Sequence, residues 1–170
     1  YSGRDDGLHQ QGVGMLISTE AKKALLGYDT VGPRIIKARF KTTHGKATVI
    51  HVYAPTADCA DSVIDEFYAL LQQTVNNTSN TDLMVIMGDF NAKVGTDWKT
   101  WKGAIGKFGH GEENERGERL LHFCLNNNLK LMHTVFYQRK ANRKWTSESP
   151  NGKTHNMIDY IILNRRWETS

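Results

Sequence analysis

Apolar and polar positions along this 170-residue chain change their period several times. Gly12-Val-Gly-Met-Leu-Ile-Ser18 is a short apolar run that predicts a strand. Residues 34–40 and 46–53 are two further strand-like runs joined through Thr43-His44-Gly45, the pattern of a hairpin that Pro55 brings to an end. From Asp61 the period changes: Ile64, Phe67, Tyr68, Leu71 and Val75 fall at helical spacing, with Asp61 or Ser62 as the N-cap. The polar tract 76–81 stops that helix, and the apolar run 83–87 predicts a buried strand ending at Gly88. A glycine-rich loop follows over 94–111, then a second helix over 114–127 that buries Leu120, Leu121 and Cys124. Three strand-like runs close the chain, at 129–136, 144–147 and 157–163. Strands dominate and hairpins outnumber strand–helix–strand units, which predicts an α/β domain of packed mixed sheets with flanking helices, not a doubly wound parallel sheet.

The length suits a single domain with a sizeable core. With 39% hydrophobic and 24% charged residues the composition is that of an ordinary globular protein. No apolar run approaches the roughly 20 residues of a membrane-crossing helix, so no membrane partner is expected. Cys59 and Cys124 form neither a disulfide framework nor a zinc pattern, and read as reduced, buried thiols of an intracellular protein. Tyr1 is not a natural start, so the N-terminus of the parent chain is expected to lie upstream. Residues 130–170 carry eight Lys and Arg against three Asp and Glu, a net of +5, whereas residues 1–129 carry 14 against 15. A basic face of this kind suits a polyanion such as DNA, and also fits plain solvated surface charge.

The candidate chemistry lies at strand ends. Asp89 and Asn91 stand just past Gly88, where a carboxylate can take a proton from water and a carboxamide can hold an oxyanion without adding charge. Spacing alone fits a capped turn equally well. Tyr53 closes its strand before Ala54-Pro55, as a phosphate-facing phenol or as an edge tyrosine of the core. Asp159 interrupts an apolar run and needs a partner there, either a histidine to orient or backbone N–H groups. Asn156 opens the same strand, and Trp145, after Arg143 and Lys144, can stack on a base or sugar or fill a sheet core. Polar groups so distributed are what phosphodiester cleavage needs: a carboxylate for water, neutral donors for phosphoryl oxygens, and a hard divalent cation.

Gly88-Asp-Phe-Asn91, with Gly12-Val-Gly-Met-Leu16, Val52-Tyr-Ala-Pro55 and Met157-Ile-Asp-Tyr-Ile161, resembles the endonuclease/exonuclease/phosphatase superfamily. More narrowly, Asp89-Phe-Asn-Ala-Lys-Val-Gly95, Asn114-Glu-Arg-Gly-Glu-Arg-Leu120, Trp145-Thr-Ser147 and Ser149-Pro-Asn-Gly-Lys153 are similar to the apurinic-type endonuclease domain of RTE-like non-LTR retrotransposons. The same domain occurs in host proteins of the craniofacial development protein 2 type. The resemblance implies a four-layer α/β sandwich of two mixed sheets flanked by helices. It implies Mg²⁺ as cofactor, with Mn²⁺ as the alternative, DNA as partner, a nuclear location, and a reverse transcriptase domain in the same parent chain. By position, Asp89 matches the carboxylate that orients or deprotonates the attacking water, and Asn91 the companion that touches the phosphate and, weakly, a metal. Tyr53 matches the tyrosine that hydrogen-bonds the phosphate, and Asp159 the acid that orients the catalytic histidine. Asn156, Trp145, Lys144 and Arg143 are the expected substrate contacts.

The family also carries a metal-binding Glu upstream of the Gly-Val-Gly strand and a Ser-Asp-His motif downstream of Ile158-Asp-Tyr160, and residues 1–170 match neither. None of the seven histidines matches the catalytic one. The expectation is therefore a single partial domain over 1–170, lacking the family's first and last strands and with little or no nuclease activity by itself. The alternatives are a DNA-binding remnant without catalysis and a phosphatase of the same superfamily.

Overall fold

The computed structural model describes residue 3 and residues 12–56, 58–137, 145–148 and 155–167. It divides into two compact units, Tyr1–Gly88 and Asp89–Ser170.

The first unit is built on the expected hairpin. Strand β2, Ile35–Thr42, pairs antiparallel with β3, Gly45–Tyr53, in a register that runs from Ile35 opposite Val52 to Thr42 opposite Gly45. Thr48, Ile50 and Val52 alternate into the interior along β3, the signature of a strand with one buried face. Two elements precede the hairpin that hydrophobic pattern did not reveal. Helix α1, Thr19–Ala24, starts where the Ser18 hydroxyl accepts the Ala21 N–H at 3.2 Å. Strand β1, Leu25–Gly32, pairs antiparallel with β2 at the sheet's edge and is largely exposed, so it shows no alternation to read. The strand expected at 12–18 is reduced to a single bridge at Val13: Val13 is buried, but Leu16 is fully exposed, and an apolar run that buries one side chain has little to hold it in a sheet.

Helix α2, Asp61–Asn76, buries Ile64, Phe67, Leu71, Thr74 and Val75 along one stripe, as the spacing predicts. Its N-cap is Ala60, which offers no side-chain acceptor; Asp61 and Ser62 both stand inside the first turn. Strand β4, Leu83–Asp89, follows and completes the order β1-β2-β3-β4. Full burial of each of Ile35, Ile50, Leu71 and Ile86 contributes about 1.5–3 kcal/mol.

The second unit contains a short antiparallel pair, β5 Val94–Gly95 with β6 His110–Glu113, and helix α3, Glu115–Asn126. The Asn114 side chain caps α3, accepting the N–H groups of Gly117 at 2.8 Å and Lys93 at 3.0 Å. The helix lies so close to the Lys93 carbonyl that a Cβ at residue 117 has no room. Leu120, Leu121 and Cys124 are buried, as expected; Cys59, in the first unit, is free and only partly buried.

Strand β7, Leu129–Leu131, pairs antiparallel with β10, Asp159–Asn164, and a small ladder joins β8, Ser147–Glu148, to β9, His155–Asn156. Both long apolar runs are shorter as strands than pattern suggests, and each for a local reason. The run from 129 turns into a 3₁₀ turn, Met132–Thr134, where the Thr134 hydroxyl donates to the Leu131 carbonyl at 2.6 Å. The run from 157 enters its strand only at Asp159, because the N–H groups of Ile158 and Asp159 both go to the Thr146 hydroxyl, at 3.1 Å each. Mixed sheets with helices among them make this the α/β class that the pattern predicts.

Candidate functional site

The turn after β4 is shaped by two unusual backbone positions. Gly88 sits at φ 138°, and a Cβ there would strike the Val52 carbonyl, so only glycine fits. Asn91 sits at φ 48°, in the left-handed region that asparagine tolerates better than most residues. Between them the Asp89 carboxylate accepts the Asn91 N–H through Oδ1 at 2.8 Å. The turn-capping reading of this pair is thus correct as far as it goes, and it fixes the carboxylate in place.

The same turn is sewn to the start of β10. Phe90 N–H donates to the Ile158 carbonyl at 2.9 Å, and the buried Phe90 ring lies 6.1 Å from that of Tyr160. The Tyr160 hydroxyl reaches two carbonyls, Met157 at 2.7 Å and Ala92 at 3.0 Å, sharing its one proton between segments 90–92 and 157–160. Asp89, Asn91 and Asp159 are thereby gathered at one corner of the second unit. Burial is the main reason that the Asp89 carboxyl titrates above its usual range; the charge of Asp159 pushes the same way, and the Asn91 N–H opposes both. Burial also raises the Tyr160 phenol far above its ordinary value.

A histidine that local sequence did not single out stands beside this corner. His133 lies in the 3₁₀ turn after β7, and its Nδ1 accepts the Ile161 N–H at 3.2 Å. With Nδ1 as acceptor, the neutral ring carries its proton on Nε2. Its ring is 6.5 Å from that of Tyr160. Burial holds the His133 imidazole below its ordinary pKa, while the charge of Asp159 pulls it upward. The only signal for this neighbour is strand register: Leu131 opposes Ile162, which carries His133 towards Tyr160, and no motif announces it. Thr146, which terminates the 157–158 segment from across the small ladder, lies in the Trp145-Thr-Ser147 motif, but its contact with Asp159 is not readable from local spacing.

Of the remaining expected residues, Asn156 lies on β9 and its carbonyl accepts the Thr146 N–H at 2.9 Å, while Trp145 precedes Thr146 and is partly buried. Both therefore flank the Asp159 segment. Tyr53 belongs to the first unit; its carbonyl accepts from Arg34 Nη1 at 3.2 Å, and the Arg34 guanidinium sits 5.3 Å above its ring. Arg143 and Lys144 lie outside the described residues, as do Arg139, Lys140 and Lys153 of the basic quarter, whereas Arg165 and Arg166 are exposed after β10.

Among the described residues no group of three or more His, Cys, Asp and Glu side chains is placed to hold a metal ion. What the corner does offer is oxygen: the carboxylates of Asp89 and Asp159 at electrostatic range of one another, beside the Asn91 amide. Two mutually repelling carboxylates fit a hard cation that retains most of its own waters, and fit a soft metal poorly.

Comparison with known proteins agrees with this architecture. A family model described as endonuclease-reverse transcriptase matches residues 47–169. Craniofacial development protein 2 of Bos taurus is 37% identical over all 170 residues, and the chain spans only 28% of its length. Among solved structures, the endonuclease domain of TRAS1, a telomere-specific non-LTR retrotransposon, superposes with a TM-score of 0.59 at 14% identity, over 84% of this chain and 54% of that one. The AP endonuclease LMAP of Leishmania major gives 0.51 at 11% identity, over 81% and 47%. At such identities the structural likeness is one of fold.

Proposed function

The chain belongs to the endonuclease-reverse transcriptase family, and from that premise we propose that it forms part of a metal-dependent endonuclease that nicks DNA by phosphodiester hydrolysis. The observation that carries this reading is the corner itself: Asp89 fixed by the Asn91 N–H, beside Asp159, on a turn that only glycine at position 88 allows.

The roles follow from the chemistry of each group. A carboxylate whose proton affinity is raised by burial is a better base toward water than an exposed one, which suits Asp89 to orient and deprotonate the nucleophile. The Asn91 carboxamide is a neutral donor for a non-bridging phosphoryl oxygen. Tyr53 is the second such donor in this reading. Asn156 and Trp145, with Arg143 and Lys144, are the contacts to the strand on either side. Asp89 and Asn91 would hold the cation, Mg²⁺ or Mn²⁺, which when bound neutralises charge on the phosphoryl group. In the parent chain the nick would supply a 3′-hydroxyl to a reverse transcriptase domain, in the nucleus.

A second reading is favoured by the lack of a three-ligand cluster among the described residues: a DNA-binding remnant that no longer cuts. Incubation of supercoiled plasmid with the 170-residue chain and with its parent protein separates the two. The nuclease reading expects metal-dependent nicking by the parent, little or no nicking by the 170-residue chain, and loss of the parent's nicking on Asp89→Ala. Salt-dependent binding with no nicking by either protein would establish the remnant instead.

A further inference from the structure

The glycine-rich segment before β6 is anchored from within. Trp101, Ala104 and Ile105 are buried, and the Trp101 ring meets His122 of α3 edge-on at 5.0 Å. The Ala104 carbonyl accepts the Leu131 N–H at 2.8 Å. Thr134 then holds the segment twice, its hydroxyl accepting from Gly106 N–H at 2.7 Å and its carbonyl from Phe108 N–H at 2.9 Å. At Gly106 a Cβ would meet the Thr134 carbonyl, and at Gly109 it would meet that of Gly95. Two close backbone approaches therefore pin the tip between them, and what they hold out to solvent is Lys107 and Phe108.

An aromatic side chain fixed in the open by so many contacts is an unusual use of structure. Phe108 is 43% exposed and packs edge-to-face on Tyr137, itself 64% exposed, with ring centres 5.4 Å apart. Phe136, the preceding residue, is 58% exposed. Lys107 Nζ lies 5.2 Å above the Trp98 ring. Residues 96–109 carry three lysines and one aspartate, so the aromatics sit within positive charge. Open aromatic faces interleaved with lysine match a nucleic-acid strand whose bases are unpaired: bases stack on rings of any sequence context, and lysines follow the phosphates. The platform also joins the candidate site through its anchor, since Thr134 adjoins His133, which holds the Ile161 N–H.

We propose that Phe108 and Tyr137, flanked by Lys107 and Trp98, form a stacking platform for unpaired nucleobases of a DNA strand. The proposal deepens the nuclease reading and rests on it for the identity of the polymer. The platform would favour substrates in which bases next to the nick are single-stranded or extruded.

Binding measured in EDTA keeps this test separate from cleavage. The 170-residue chain is titrated into a fluorescent single-stranded oligo(dT) and into an oligonucleotide of equal length made of abasic sites, which keeps the phosphates and lacks the bases. The expected result is tighter binding of oligo(dT), with Phe108→Ala and Tyr137→Ala each weakening it by about tenfold and leaving the abasic strand unaffected. Phe108→Trp should retain affinity, which guards against a variant that merely misfolds. Equal affinity for the two strands, or an oligo(dT) affinity within twofold of wild type in both alanine variants, overturns the platform. A self-associated chain that dissociates on Phe108→Ala without change in oligo(dT) affinity overturns it as well, in favour of a contact between copies. If the plasmid is never nicked yet the oligo(dT) result holds, the nuclease reading fails and the platform stands.

Discussion

Arg39 grips Asp82 through two parallel hydrogen bonds, Nε to Oδ2 at 2.7 Å and Nη2 to Oδ1 at 2.9 Å, tying β2 to the entry of β4 across 43 residues. The Thr48 hydroxyl donates to the same carboxylate at 2.8 Å, so a buried charge has three donors around it. Those Arg39 bonds are the main reason that the Asp82 carboxyl titrates below its usual range; Thr48 and the charges of Arg39 and Lys46 add to them, and burial opposes. A depressed carboxylate stabilises the fold fully above its ordinary pKa of about 3.9 and loses that stabilisation as pH falls below it. Asp82→Asn should therefore lower the melting temperature at pH 7 by roughly 5–10 °C. The same variant should flatten the loss of stability that the wild type shows on acidification below about pH 4, followed by circular dichroism.

Asp89 has the opposite sign. Its carboxyl is raised, first by burial and then by Asp159, so its charged form is disfavoured in the folded chain. The stabilisation from its neutral form is complete below the ordinary carboxylate pKa and is lost as pH rises through the raised value. Asp89→Asn keeps an acceptor for the Asn91 N–H and removes the charge. It should raise the melting temperature at pH 7 by a few degrees, with the gain vanishing below about pH 4, while abolishing any nicking. Equal melting temperatures at pH 7 would remove the electrostatic argument.

His133 should give the second unit a dependence on mildly acidic pH. Its imidazole is held below the ordinary value by burial, against the pull of Asp159, and its Nδ1 must stay unprotonated to accept the Ile161 N–H. A lowered histidine stabilises the fold above its ordinary pKa of about 6.5 and loses that stabilisation as pH falls through the lower, folded value. Thermal melts at stepped pH should show wild-type stability declining over that interval. His133→Asn, which can accept the same bond and cannot titrate, should remove most of the decline.

Gly88→Ala tests the turn without touching a reactive group. The new Cβ would press on the Val52 carbonyl at a φ that L-residues avoid, and the expected cost is about 3 kcal/mol by urea denaturation. A cost below about 0.5 kcal/mol, the ordinary range for an innocuous change, would mean that the turn can relax.

The sequence was most legible where one face of an element is buried. Ile64, Phe67, Leu71 and Val75 announced α2, and the hairpin 35–53 announced itself by its turn and its two flanking runs. It was least legible at β1, which buries almost nothing and so has no pattern, and at residues 12–18, where the pattern predicts a strand and the structure has a single bridge at Val13. The site divides the same way. Asp89 and Asn91 are neighbours in sequence and were recognisable together; Thr146 and His133 join Asp159 only through strand pairing and side-chain hydrogen bonds that no local spacing encodes.

The charge on Asp89 also bears on the history of such a chain. A carboxylate whose charged form the fold disfavours is open to replacement by drift, provided that the substitute still accepts the Asn91 N–H. A copy released from selection would accumulate such replacements while Gly88, Phe90 and Tyr160, which hold the turn together, were still retained for folding. On the nuclease reading proposed above, Asp89 standing beside that scaffold is the pattern that continued use of the carboxylate would leave.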